Sequence, residues 1–141
     1  MSRLMRKTAI LAKIETTYGT DAAPTGAANA ILISNATFAF NYNNVDRDLM
    51  RAYLGGAEQL VGSRNVTASF DVEIAGSGAA GTAPAWGPLV RACGMAETIT
   101  ASALVEYNPV SATFDSLTIY YSVDGLLHKA IGCRGTMTMG M

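Results

Sequence analysis

Arg64-Asn65-Val66-Thr67-Ala68-Ser69-Phe70-Asp71-Val72-Glu73-Ile74 decides the fold class. Val66, Ala68, Phe70, Val72 and Ile74 alternate with Thr67, Ser69, Asp71 and Glu73. Strict period-2 alternation is the mark of a strand with one covered face and one face toward water. Asp71 and Glu73 share the polar face about 7 Å apart by strand rise. That spacing suits a catalytic carboxylate pair, but it also describes an acidic wall, and the wall is the preferred reading.

Downstream, Gly76–Thr82 is a flexible loop. The segment Pro84-Ala85-Trp86-Gly87-Pro88-Leu89-Val90-Arg91-Ala92-Cys93-Gly94 predicts the chain's one convincing helix, with Pro in the first turn and Gly94 as its stop. Trp86, Leu89, Val90 and Cys93 fall on one helical stripe. With Phe70 and Val72 they predict a core between this helix and the Arg64–Ile74 strand. Thr98–Asn108 predicts a strand ended by Pro109. Leu117–Val123 and Leu126–Cys133 flank Asp124-Gly125, the strongest short hairpin signal available. Thr136–Met141 alternates again, and the pattern stops inside itself. This suggests a truncated C-terminus or an edge covered by another copy.

Upstream, Ile31–Phe40 is a strand broken by Asn41–Asn44. Residues 42–62 fit no period and read as a long excursion. They carry Asp46, Arg47, Asp48, Arg51 and Glu58, charges of both signs. Residues 16–30 are a loop, read from their Gly, Pro, Thr and Asp. These elements make one domain over 1–141: mainly β, an antiparallel sandwich or open barrel with one flanking helix, a long loop and an N-terminal arm.

Composition narrows the function. Half of the 141 residues are hydrophobic and 15% are charged, below the roughly 25% of an average soluble domain. Such a chain hides surface against partners or wears an Ala- and Gly-rich exterior. The net charge of −1 gives no overall basic signature for nucleic acid. Arg3, Arg6, Lys7 and Lys13 are four of the ten basic residues, which leaves six against eleven acidic residues, a balance of −5 after the arm. A basic arm 1–13 on an acidic body suits contact with a neighbouring copy; the competing reading is a solvated terminus. No run approaches the ~18 apolar residues of a membrane span. Cys93 and Cys133, in apolar stretches, match no metal or redox spacing and point to a reducing compartment.

Three chemical readings are set aside. Gly76-Ser77-Gly78-Ala79-Ala80-Gly81 has dinucleotide-site spacing, but the strand before it alternates and the helix starts too late to seat phosphate on its N-terminus. His128, Cys93 and Asp124 could be drawn as a nucleophilic set; Asp124 is better explained by the turn and Cys93 by the helix core. One His and two distant Cys do not make a metal site. The chain is expected to be neither an enzyme nor a cofactor binder.

Leu11-Ala12-Lys13-Ile14-Glu15-Thr16-Thr17-Tyr18-Gly19-Thr20-Asp21-Ala22-Ala23-Pro24-Thr25 resembles the opening of tail tube proteins of temperate and Mu-like bacteriophages. Trp86–Gly94 is similar to the helix of that family, and Ser116–Gly135 to its hairpin. The likeness runs from about Ile10 to Thr138. The resemblance implies a virion protein, made in the host cytoplasm, whose hexameric rings stack into a hollow tail tube. DNA passes through it transiently without specific binding. Tape measure, tail terminator and distal tail proteins would be partners, with no membrane involved. On that implication Thr67, Ser69, Asp71 and Glu73 are expected to line the lumen, and Asp46, Arg47, Asp48, Arg51 and Glu58 to lie between rings. The alternatives are an outward-looking strand face and a mobile loop. A rival reading of the whole chain is another tail component, or a β-sandwich binding or decoration module that forms no tube.

Overall fold

A computed structural model describes residues 7–50, 52 and 54–140. The architecture is mainly β, 48% strand against 8% helix, with antiparallel sheets. The chain divides into two compact units: residues up to Ile33 together with Val72 onward, and the segment Ser34–Asp71.

The first unit is built on a four-stranded sheet of order β2-β1-β7-β8, from β1 (Thr8–Ile14), β2 (Ala30–Ile31), β7 (Leu117–Val123) and β8 (Leu126–Cys133). β1 and β7 pair antiparallel along their whole lengths, from Thr8 opposite Val123 to Ile14 opposite Leu117. The expected hairpin links β7 to β8. Asp124 and Gly125 both have positive φ, 46° and 83°, the twist that lets a two-residue turn match its strands.

Alternation gives this sheet two different faces. Ile10, Ala12, Leu117 and Ile119 are buried on one face. α2 (Gly87–Ala92) packs on β1, β7 and the strand that follows it, β5 (Met95–Thr100), and adds buried Val90 and Ala92. The opposite face carries Thr118 and Tyr120, and the loop after β1 reaches it: Ala22 N–H donates to Thr118 Oγ1 (3.0 Å) and Tyr120 Oη donates to Asp21. That loop also contains α1 (Gly26–Asn29), a single turn closed by Asn29 N–H to the Thr25 carbonyl, where the sequence predicted only loop.

The helix is shorter than predicted, with Trp86 at its N-cap and Gly94, at φ +87°, following it. The predicted core is also displaced. Trp86 is half-buried, packs against Tyr107 with ring centroids 5.5 Å apart and planes tilted by 40°, and donates from Nε1 to the Ala75 carbonyl. Phe70 and Val72 are half-buried too. The buried apolar side chains Ile10, Ala12, Leu117 and Ile119 gather instead where β1 and β7 meet α2, because the helix covers that face of the sheet's central strands. Gly87 is needed here, since a Cβ would lie 2.5 Å from Tyr107 Oη.

The predicted Thr98–Asn108 strand is a hairpin, β5 (Met95–Thr100) and β6 (Leu104–Pro109). Ser102 turns it at φ +58° without the Gly, Asn or Asp that would have announced it. Residues 134–140 form no strand despite their alternation.

The second unit is one hairpin of two 14-residue strands, β3 (Ile33–Asp46) and β4 (Gln59–Val72). Cross-strand contacts run in opposite directions along it: Arg47 N–H meets the Glu58 carbonyl (3.4 Å), Asn41 meets Thr67 and Asn35 meets Asp71. Asn41–Asn44 continue β3 rather than break it, so the predicted excursion begins and ends in strand and, among the described residues, only those between Asp46 and Gln59 lie outside.

Candidate assembly surface

The hairpin of the second unit is unlike an ordinary surface element. Among its described residues only Ala36, Phe38 and Phe70, with the end residues Ile33 and Val72, are even half-buried. A two-stranded hairpin is marginal alone in water. This one also leaves large apolar side chains exposed, among them Tyr42 at 60%, Val61 at 56% and Leu60 at 50%. At its tip Met50 and Leu54 are fully open to solvent and Leu49 is exposed. Clustered apolar exposure of this kind marks contact with another macromolecule.

The strand positions expected on the polar face are brought together in part. Thr67, Ser69 and Asp71 lie on β4 and are exposed. Asn35 Nδ2 donates to Asp71 Oδ2 at 2.7 Å, and Asn41 Nδ2 donates to Thr67 Oγ1 at 3.1 Å. One side of the hairpin therefore carries a ladder of amides, hydroxyls and carboxylate. Asn35 and Asn41 were missed as members of it. Their signal was present in Asn35, Thr37, Asn41 and Asn43, alternating polar positions that pass for a strand break when Asn is read as turn chemistry. Asn35 itself sits at φ +51°, a conformation Asn tolerates better than most residues. Glu73 lies one residue beyond β4, exposed, in the first unit.

The charged residues expected between rings flank the hairpin tip. Asp46 closes β3, and Arg47, Asp48 and Glu58 are exposed beyond the ladder. Arg51 lies outside the described residues. Of the basic arm, Arg3 and Arg6 also lie outside them. Lys7 is exposed 3.9 Å from Asp124, and Lys13 is an exposed position of β1 opposite Thr118. Residues 8–13 of the arm are thus an inner strand of the sheet.

Elsewhere the polar groups are structural. Arg91 makes two contacts of 2.9 Å to Asp115 Oδ2 through Nε and Nη2, and lies 3.7 Å from Glu97. Glu97 in turn accepts from Tyr107 Oη at 2.6 Å. Burial and the Glu97 carboxylate push the Tyr107 phenol well up. The recess of about 210 Å³ beside this cluster is lined by Ala12, Pro84 and Pro88 as well as Arg91 and Glu97, and the Glu97 carboxylate there is engaged by Tyr107 and Arg91. Cys93 and Cys133 are free thiols, both pushed up by burial, the opposite of an activated nucleophile. His128 stacks on Tyr121 at 6.2 Å, and Asp124 serves the turn. Among the described residues no cluster of three or more His, Cys, Asp or Glu is placed to hold a metal ion. No helix among them is long and apolar enough to cross a membrane.

Comparison with curated proteins and with solved structures gave no significant match. A family model described as phage tail tube protein matches residues 5–141, nearly the whole chain. The chain belongs to the phage tail tube protein family and is a structural component of a phage tail.

Proposed function

We propose that copies of this chain form stacked, hexameric rings whose hairpins meet to build the wall of a hollow tube for DNA ejection. The carrying observation is the hairpin β3–β4, with its exposed apolar residues and its polar ladder. A ring gives each unpaired hairpin edge a neighbouring strand, which removes the hazard of an open edge. Ring-on-ring stacking is a head-to-tail contact that grows without closing. The tip 47–58, with Asp46, Arg47, Asp48, Arg51 and Glu58 around exposed Met50 and Leu54, is the segment assigned to contact between rings. The N-terminal residues Arg3, Arg6 and Lys7 are assigned to a neighbouring copy. Lys13 is an exposed basic residue carried on β1.

Thr67, Ser69, Asp71 and Glu73 are assigned to the lumen. Small hydroxyls and carboxylates hold water and repel phosphate, whereas Lys or Arg would bind DNA by counterion release. Tape measure, tail terminator and distal tail proteins fit as further partners of such a tube, and assembly is assigned to the host cytoplasm. Electron microscopy of purified protein tests the proposal. Hollow tubes of stacked six-fold rings support it; monodisperse particles under every assembly condition tried would overturn it.

A further inference from the structure

Glu15 is the most enclosed carboxylate among the described residues, at 7% exposure. Its Oε2 accepts from Gly19 N–H (2.9 Å) and Ser116 Oγ (2.6 Å), and its Oε1 from Thr118 Oγ1 (2.9 Å) and Gly132 N–H (2.7 Å). The Gly132 donor exists because β8 bulges. Leu117 pairs with Cys133 and Ile119 with Ala130, so Ile131 and Gly132 together oppose Thr118. Gly132, at φ +66°, is freed from the ladder. The Thr118 hydroxyl has one proton. It already accepts from Ala22 N–H, so that proton goes to Glu15. Each Glu15 oxygen therefore faces one backbone N–H, Gly19 on Oε2 and Gly132 on Oε1, that can only donate. An amide at position 15 would set its NH2 against one of these N–H groups, and a protonated acid would accept more weakly from both.

A second carboxylate holds the same loop further along. Both Asp21 oxygens lie within 2.7 Å of Tyr120 Oη; Oδ2 takes Lys129 Nζ at 2.9 Å and Oδ1 takes Ala23 N–H at 2.8 Å. Ala23 is kept at φ +46°, a left-handed conformation that a free alanine avoids. Backbone held off its preference persists only while its surroundings over-determine it.

We propose that residues 16–25 are a releasable strap over one face of the sheet, locked shut by ionised Glu15 and Asp21 and opened by acid to bare Thr118 and Tyr120. The inference rests on the subunit alone and stands whether or not the tube reading does. The surrounding groups set the pH of release. Tyr18 belongs to the strap and packs on Gly132, with the Arg134 guanidinium 5.0 Å from its ring. β1 brings exposed Lys13; β7 brings Ser116, Thr118 and Tyr120; β8 brings Lys129 and the Cys133 thiol, which burial and the Glu15 charge push up. Burial pushes the Glu15 carboxyl up, but the bonds from Gly132, Ser116, Gly19 and Thr118 outweigh it and hold it below its usual value. Tyr120, then Lys129 and Ala23, hold Asp21 down at about 2. A carboxyl depressed in the folded state stabilises it above the unfolded value and loses that contribution as pH falls through the folded one. The strap is thus closed at neutral pH and through mild acid. It opens below the ordinary carboxylate range, the Asp21 end last.

Hydrogen exchange on the full chain, corrected for intrinsic rate, tests this. In Glu15→Gln at neutral pH the Gly19, Ala22 and Gly132 amides should exchange at least about tenfold faster, equivalent to 1.4 kcal/mol, while β1–β7 ladder amides keep their protection. In the natural sequence the same amides should lose protection on acidification before the ladder does. If Glu15→Gln does not fold, Asp21→Asn carries the test, with faster exchange expected at Ala23 and an intact ladder. Wild-type exchange rates at these amides in the variant that folds, or strap and ladder opening together at every pH, would overturn the proposal.

Discussion

The four-stranded sheet and the long hairpin are made from similar strand residues and solve the solvent problem in opposite ways. The sheet covers one face with α2 and the other with a loop, and even its buried carboxylate has four donors. Among the described residues no buried side-chain nitrogen or oxygen lacks a partner. The hairpin has the alternation to bury a face, yet it leaves Phe40, Tyr42, Leu60 and Val66 exposed. A finished core and an unfinished one stand in the same chain: the sheet makes the subunit, and on the proposed function the hairpin awaits other copies.

The largest effect should follow removal of the hairpin tip. Replacing residues 46–58 with a short turn should leave near-UV circular dichroism and thermal unfolding of the subunit close to normal while long tubes disappear from micrographs. Normal tubes would remove the distinction between the two regions. Next in size is a pair of core-style truncations. Ile10→Ala, at 1% exposure, should cost about 2–5 kcal/mol in denaturant unfolding. Phe40→Ala, at 47% exposure, should cost the subunit under about 1 kcal/mol and instead raise the concentration needed for assembly. Trp86→Ala should fall below the roughly 3–5 kcal/mol of a fully packed aromatic, because Trp86 is half-buried.

Smaller again, Gly132→Ala should cost about 1–2 kcal/mol, since its φ of +66° disfavours a side chain and a Cβ would press on Tyr18 at 3.3 Å. The smallest stability change belongs to Asp71→Lys with Glu73→Lys, within about 0.5 kcal/mol per exposed site. These changes should slow DNA ejection at low salt and spare it at high salt. Unchanged ejection at low salt from normal tubes would put that face outside the lumen.

How much the sequence revealed also differs between the regions. Leu117–Val123, Asp124-Gly125 and Leu126–Cys133 were legible to the residue because β-branched and aromatic runs flank an unambiguous turn. Residues 64–72 of β4 were legible by their alternation, while its start at Gln59 was read as excursion and its end was placed two residues late at Ile74; the helix was legible by its prolines and Gly94. β3 was cut short because Asn41–Asn44 carry turn chemistry, and only the cross-strand partner Thr67 explains Asn41 as a strand residue. The β5–β6 turn at Ala101-Ser102-Ala103 has no turn residue to read. The core was misplaced because periodicity tells which face of an element is apolar but not which other element covers it. Glu15 stood in plain view in the opening segment. Its role was hidden because its donors lie about a hundred residues away, and one exists only through a bulge. Of the polar ladder, Thr67 and Asp71 were legible and their amide partners were not.

Hydrogen exchange compared between the isolated subunit and assembled tubes decides whether the hairpin is the surface on which copies assemble. Amides across 34–71 should exchange fast in the subunit and become strongly protected in the tube, while the β1–β7 ladder is protected equally in both. Equal exchange across 34–71 in the two states, with new protection appearing only in the first unit, would contradict it.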